Sequence, residues 1–296
     1  MTKPLVSVVM PAYRCAATIQ SAIESVLIQD VPLELLVIDD CSPEPLEDAL
    51  APFREDARVR MLRNERNLGA AQSRNRGVAL AEGEYVAFLD ADDIWAPGKL
   101  EKQLARLEKT GMVLCATARE LMTPDGKLTG RVIPVPEEIS YRELLKHNCI
   151  NCSSVVIKTE VAREFPMHHE ESHEDYIMWL EVLQKYGSAC AINEPLLKYR
   201  LSNTGKSGNG LGLGVADEVD GGSLHFGHSG ARNVVNLAGL LVGGDAPLQE
   251  SAGDSFSFGS GNGGYVKHIL VPLFLVLLQN LLYFLGQAVF NDVFID

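Results

Sequence analysis

Three carboxylates stand within four residues at Asp90-Ala91-Asp92-Asp93, directly after the apolar run of residues 85–89. Such a run, bounded by Gly83 before it and Pro97-Gly98 after it, reads as a strand buried on both faces. Its polar end is then the carboxyl end of a central strand, where open α/β sheets place ligands. Carboxylates crowded at one strand tip repel one another unless a cation or donor groups neutralise them. A hard divalent cation, Mg²⁺ or Mn²⁺, shared with a phosphate meets that need. The plainer alternative is a polar turn whose aspartates cap a helix.

Two more strand ends carry groups of the same kind. Residues 34–38 run into Asp39-Asp40, and residues 5–10 run into the turn Pro11-Ala12-Tyr13-Arg14. In a doubly wound sheet all three ends line one edge. A nucleotide fits such an edge, with an aromatic ring near the base, a carboxylate for base N–H or sugar hydroxyls, and a metal for the diphosphate. The chain has no Gly-x-x-x-x-Gly-Lys-Ser/Thr, and no Gly-x-Gly-x-x-Gly follows its first strand. The phosphates are therefore expected to meet a metal rather than a glycine-lined helix start. Farther on, Glu174-Asp175 opens a helix that contains Trp179. These carboxylates are either ordinary partners of the helix dipole or the source of a general base facing the cleft. Cys149 and Cys152, with His147, His168, His169 and His173 nearby, lack the second cysteine pair and fixed histidine spacing of a zinc site, and are expected to be thiols and polar loop residues.

The elements that must position these groups alternate. Strands are expected at 5–10, 34–38, 58–62, 85–89 and 112–116, and helices at 18–29 (with Thr18 as its cap), 46–53, 70–82 and 99–109. That alternation predicts an α/β fold, a mostly parallel central sheet with helices on both faces. Residues 1–117 would bind the nucleotide. Residues 118–207 read as a more irregular α+β half of the same domain, on the acceptor side. There, Pro124-Asp125-Gly126-Lys127 is a hairpin turn. Short strands are expected at 153–157, 189–192 and 196–201, and helices at 141–146 and 174–186.

Composition changes sharply near Ser207. Residues 1–207 hold 24 of the 26 basic and 31 of the 39 acidic residues, and 17 of the 26 glycines lie between Gly205 and Gly264. Residues 208–264 read as a Gly-rich linker or disorder. Residues 265–296 contain an uncharged run, 269–290, with 17 apolar residues of 22. It is long enough to span a bilayer, to lie on one, or to pack as a core helix. The net charge of −13 gives no electrostatic case for a nucleic-acid partner. Six scattered cysteines without a secretion signal read as reduced thiols of a cytoplasmic protein.

Taken as an ordered set, these pieces resemble the family 2 glycosyltransferases, of GT-A fold, found in bacterial polysaccharide and lipopolysaccharide assembly. The resemblance runs from Val6-Ser7-Val8-Val9-Met10-Pro11-Ala12-Tyr13 through Val37-Ile38-Asp39-Asp40-Cys41-Ser42, Asn67-Leu68-Gly69-Ala70-Ala71, Gln72-Ser73-Arg74-Asn75 and residues 83–93 to Glu174-Asp175-Tyr176, Trp179 and Tyr199-Arg200. It implies an inverting, metal-dependent transfer from a nucleotide sugar, a UDP-sugar, to a glycan or lipid-linked acceptor at the inner face of the cell membrane. It also implies roles. Tyr13, Asp40 and Arg74 would contact the base, with Pro11, Ala12 and Ala91 beside the nucleotide. Asp90 would sit near the ribose and diphosphate, Arg200 would belong to a loop over the donor, and Asp92 would bind Mg²⁺ or Mn²⁺. Asp175 would be the base, oriented by Glu174. Cys41 stands where that family usually has glycine, and the sequence after Asn209 is unlike it. A sugar nucleotidyltransferase would need a Gly- and Lys-rich loop in place of Pro11-Ala12-Tyr13-Arg14. A non-catalytic nucleotide-sugar binder or scaffold would have no use for Asp90, Asp92, Glu174 and Asp175 together.

Overall fold

Apolar, β-branched runs build the sheet, and their burial sets its order. The computed structural model describes residues 4–168 and 174–201, and these form ten strands of one sheet. The first half contains β1 (Val6–Ala12), β2 (Leu33–Asp39), β3 (Val59–Arg63) and β4 (Tyr85–Phe88). These run parallel in the order β3-β2-β1-β4. The second half contains β5 (Ile94–Trp95), β6 (Leu114–Met122), β7 (Leu128–Ile133), β8 (Glu138–Ser140), β9 (Val156–Lys158) and β10 (Ser188–Arg200). The order continues as β9-β6-β10-β5, with β7 on β6 and β8 on β10. Directions mix here: β9 is antiparallel to β4 and β6, while β10 is parallel to β6. The predicted linker at 208–264 and apolar helix at 265–296 lie outside the described residues.

The helices are α1 (Ile19–Leu27), α2 (Glu47–Leu50), α3 (Gly69–Leu80), α4 (Lys99–Thr110), α5 (Tyr141–Leu144), α6 (Thr159–Glu164) and α7 (Glu174–Tyr186). Strand residues alternate between two apolar layers. Val8, Met10, Leu35 and Val37 pack with Ile19, Ile23 and Val26 of α1 and Leu100 and Leu107 of α4. Val9, Leu36, Ile38 and Phe88 face the other way, onto Ala71 and Val78 of α3, Val161 of α6 and Trp179, Val182 and Leu183 of α7. α3 lies directly on β1 because Gly77 has no side chain. A Cβ there would meet Val9 Cγ1 at 2.3 Å. No helix among the described residues is long and apolar enough to cross a membrane.

The structure differs from the sequence reading in five local features. β1 runs on through Pro11 and Ala12, which were expected to turn. Its pairing with β4 ends at Val9↔Phe88, so Pro11 lies past the last rung on that side and the missing N–H leaves that ladder intact. Thr18 precedes α1 but does not cap it, because its hydroxyl donates to the Cys15 carbonyl at 3.2 Å. The strand expected from 153 starts at Val156, after a 3-10 turn, Cys152–Ser154. The two strands expected at 189–192 and 196–201 are one, β10, whose register against β6 shifts around Pro195. β5, β8 and α6 were not anticipated.

Candidate active site

At the carboxyl edge of the sheet, β2 and β4 each end in aspartates. Those at the end of β2 hold the chain together. Asp39 accepts from the Ser42 N–H at 2.9 Å and pairs with Arg63. Asp40, 3% exposed, accepts from Asn64 Nδ2 at 2.7 Å and from the N–H groups of Leu68 and Gly69, each at 2.8 Å. Those two N–H groups open α3. Asp40 therefore caps that helix from another element, in the way anions favour a helix N-terminus. The resemblance places this carboxylate on a nucleotide base, and three donors of the protein already reach it. The Asp40 N–H also donates to the Ala12 carbonyl at 2.8 Å, which brings Pro11, Ala12 and Tyr13 beside this turn. Tyr13 is 43% exposed, and the Arg14 guanidinium lies 5.3 Å from its ring centroid. Cys41, where the resemblance expects glycine, has φ +56°, the left-handed region that favours glycine.

Around the end of β4 the carboxylates gather about one arginine. Arg74, buried on α3, donates from Nη2 to Asp90 Oδ1 at 2.5 Å and from Nη1 to Glu174 Oε1 at 3.1 Å. Burial opposes its charge, but Asp90, Cys152 and Glu174 hold the guanidinium protonated well above its ordinary range. Arg74 thus lies among the carboxylates. Asp90 follows β4 and Glu174, one hundred residues after Arg74, opens α7, so a single side chain ties the turn after β4 to that helix. Asn75, next to it, exchanges two hydrogen bonds with the backbone of Met167, at 2.7 and 2.9 Å.

The remaining acids are crowded. Burial, and then Asp90, push Asp92 up to about 6, against Arg200 and Arg74. Asp93 is buried. Burial, then Asp92 and Asp90, hold it well above the carboxylate range. Its Oδ1 accepts from the Arg200 N–H at 2.8 Å, while Oδ2 has no partner among the described residues. Burial also pushes Asp175 up to about 6, with Arg74 pulling it down and Glu174 adding to the rise. Asp175 Oδ1 accepts from the N–H of Tyr176 at 2.8 Å. Arg200 ties the end of β10 to this turn, donating from Nε to the Asp92 carbonyl at 2.7 Å and from Nη1 to the Pro124 carbonyl at 2.9 Å. Ala91 is buried between these acids.

Ser153 is a participant the sequence did not mark. Its Oγ accepts from the Asp90 N–H at 3.1 Å, and its carbonyl accepts from Trp95 Nε1 at 2.8 Å. A serine inside a Cys-Ser-Ser run carries no periodic or motif signal, and only the antiparallel pairing of β4 with β9 brings it here. Cys149 and Cys152 are buried thiols, and burial raises both above the ordinary range.

No three His, Cys, Asp or Glu side chains among the described residues are grouped to hold a metal by themselves. Asp90 is already paired with Arg74, and Asp92 is the carboxylate that the resemblance assigns to a metal. One carboxylate with substrate phosphates as the other ligands is a donor set that suits Mg²⁺ or Mn²⁺.

A parallel nucleotide-type half, continued by a mixed half that returns a helix-borne carboxylate pair to the same edge, defines the GT-A α/β fold of glycosyl-transferring enzymes. The chain belongs to glycosyl transferase family 2, whose model matches residues 7–161. TuaG of Bacillus subtilis, named for teichuronic acid biosynthesis, is 38% identical over 209 residues, 70% of this chain and 83% of that protein. WfgD of Escherichia coli, named as a UDP-Glc:alpha-D-GlcNAc-diphosphoundecaprenol beta-1,3-glucosyltransferase, is 37% identical over 210 residues, 69% of this chain and 80% of its own. Among solved structures, residues 1–349 of S. aureus TarS in complex with UDP superpose with a TM-score of 0.57 at 20% identity. That match covers 67% of this chain and 61% of the TarS fragment.

Proposed function

We propose that the protein transfers a sugar from a UDP-sugar to a hydroxyl of a glycan or lipid-linked acceptor, with inversion, at the inner face of the cell membrane. The observation that carries this reading is the Arg74 bridge. It joins Asp90 of the nucleotide half to Glu174 of the acceptor half, and Asp175 follows at once with its pKa pushed up to about 6. A carboxylate tuned upward is suited to act as general base near neutral pH. Asp175 takes the proton of the acceptor hydroxyl as that oxygen attacks the anomeric carbon, and a single displacement inverts it. Glu174, held by Arg74, fixes the first turn of α7 and so the direction of Asp175. Asp92 would hold Mg²⁺ or Mn²⁺, which supplies positive charge to the leaving diphosphate. Tyr13 offers its exposed ring to the base, and Arg200 steadies the Asp92 turn by its carbonyl.

The names of the relatives agree with this reading. One is named for UDP-Glc and an alpha-D-GlcNAc-diphosphoundecaprenol acceptor, and another for teichuronic acid biosynthesis. The test is a thermal-shift screen of UDP, UDP-glucose and UDP-N-acetylglucosamine with and without Mn²⁺, followed by product analysis on a lipid-linked acceptor. A bound donor raises the melting temperature by mass action. No shift with any nucleotide sugar, in either metal condition, and no product would sink the proposal.

A further inference from the structure

Arg119 has no ion-pair partner among the described residues. It lies on β6, opposite Leu197 of β10 and Ile133 of β7. Its Nε is buried without a hydrogen-bond partner, and among the described residues the side chain's one contact of note is the Tyr199 ring, whose centroid lies 5.8 Å from Cζ. The groups that act on its charge are Tyr199 at the end of β10, Asp93 in the turn after β4, and Cys149 in the loop before the 3-10 turn. Tyr199 adjoins Arg200, whose N–H donates to Asp93, so two of these places belong to the acidic turn of the candidate site.

Two neighbouring guanidiniums are engaged. Arg74 is divided between Asp90 and Glu174, and Arg200 between two carbonyls. Asp93 does not serve as a counter-ion by contact, since its Oδ2 is equally without a partner. A half-buried cation whose donors are unpaired is costly, and burial accordingly lowers its pKa. A rigid planar fork of N–H donors matches a phosphate, to which it binds in bidentate fashion.

We infer that Arg119 is the diphosphate-binding residue of this site, engaging a substrate phosphate through guanidinium donors unpaired among the described residues. This rests on the transfer reaction proposed above. Two substrates can bring a diphosphate: the nucleotide sugar, and an acceptor linked to lipid through a diphosphate. Both would lie at the same edge, and the test separates them.

Arg119→Gln and Arg119→Lys are compared with the unaltered protein. Calorimetry measures UDP binding in Mn²⁺, and steady-state assays give KM for donor and acceptor. If the donor diphosphate is the ligand, Arg119→Gln weakens UDP and raises donor KM tenfold or more, and Arg119→Lys, which keeps charge but loses the fork, lies between. If the acceptor diphosphate is the ligand, UDP binding is unchanged. Acceptor KM then rises, and the rise vanishes with an acceptor that lacks the diphosphate. If all three constants stay within twofold, the inference is wrong, whether or not the melting temperature falls. Should Arg119→Gln fail to fold, Arg119→Lys carries the same readings. Absence of transfer by the unaltered protein would overturn the proposed reaction instead, and calorimetry with UDP would still read Arg119.

Discussion

The ends of β2 and β4 look alike in sequence and have opposite fates. Each is an apolar strand that stops in consecutive or alternate aspartates. At the end of β2 the acids meet donors from their own half: Ser42 and Arg63 for Asp39, and Asn64, Leu68 and Gly69 for Asp40. At the end of β4 the acids outnumber the donors, and Asp92 and Asp93 are pushed upward by burial and by one another. An acidic strand end becomes a site only where the fold withholds partners. The glycine-opened helix α3 starts next to β2 and supplies two N–H groups there. Next to β4 the chain supplies one arginine for acids arriving from two elements.

The contrast can be tested by removing one acid at a time. Asp175→Asn removes the proposed base without adding bulk, and should lower kcat by about 10³-fold while UDP affinity stays within a few-fold. Near-normal turnover in a direct product assay would refute the assignment. Asp40→Ala should act on folding instead, costing about 3 kcal/mol in urea denaturation by stripping three hydrogen bonds from one buried and two part-buried donors. If it left stability intact and abolished UDP binding, the two strand ends would be more alike than the structure indicates.

Asp92→Asn should separate stability from binding. An acid whose folded pKa is raised stabilises the fold while protonated, and that contribution is lost as pH rises through about 6. Asn should therefore raise stability by about 1–2 kcal/mol at pH 7.5 and by little near pH 4. In the same variant, Mn²⁺-dependent UDP affinity should fall. The same logic applied to Asp175 sets the activity profile. Transfer should lose its basic form below about pH 6, visible as an acid limb in kcat that Asp175→Asn removes. The smallest change is expected at Cys41. Glycine there relieves a left-handed backbone and should add about 0.5–1 kcal/mol without altering turnover, as a paired denaturation and rate measurement would record.

The alternation of strand and helix through residue 117 was legible because each strand is long, apolar and punctuated. The same holds for α7, whose Trp179, Val182 and Leu183 all point inward. β5 was not legible because two residues have no period, and α6 because Val161 and Ala162 are too few to show one. β10 looked like two strands because Pro195 interrupts its pattern, and a register shift absorbs that interruption. At the site, residue types and their order were readable, but partners were not. Nothing local tells that Arg74 serves acids 16 and 100 positions away, or that Asp40 spends itself on the start of α3. Those facts belong to the packing of α3 on β1, which Gly77 permits and no motif announces.

Arg200 gives the chain a natural cutting point. Its three ties, to Asp92, Asp93 and Pro124, make the last residues of β10 a latch on the acidic turn. A truncation product ending at Leu201 keeps the latch, and the Leu201 N–H still reaches Met122 at 2.8 Å. One ending at Tyr199 loses it and should bind UDP poorly while its two apolar layers stay folded. The two fragments differ by two residues, and UDP calorimetry on both reads what the latch contributes.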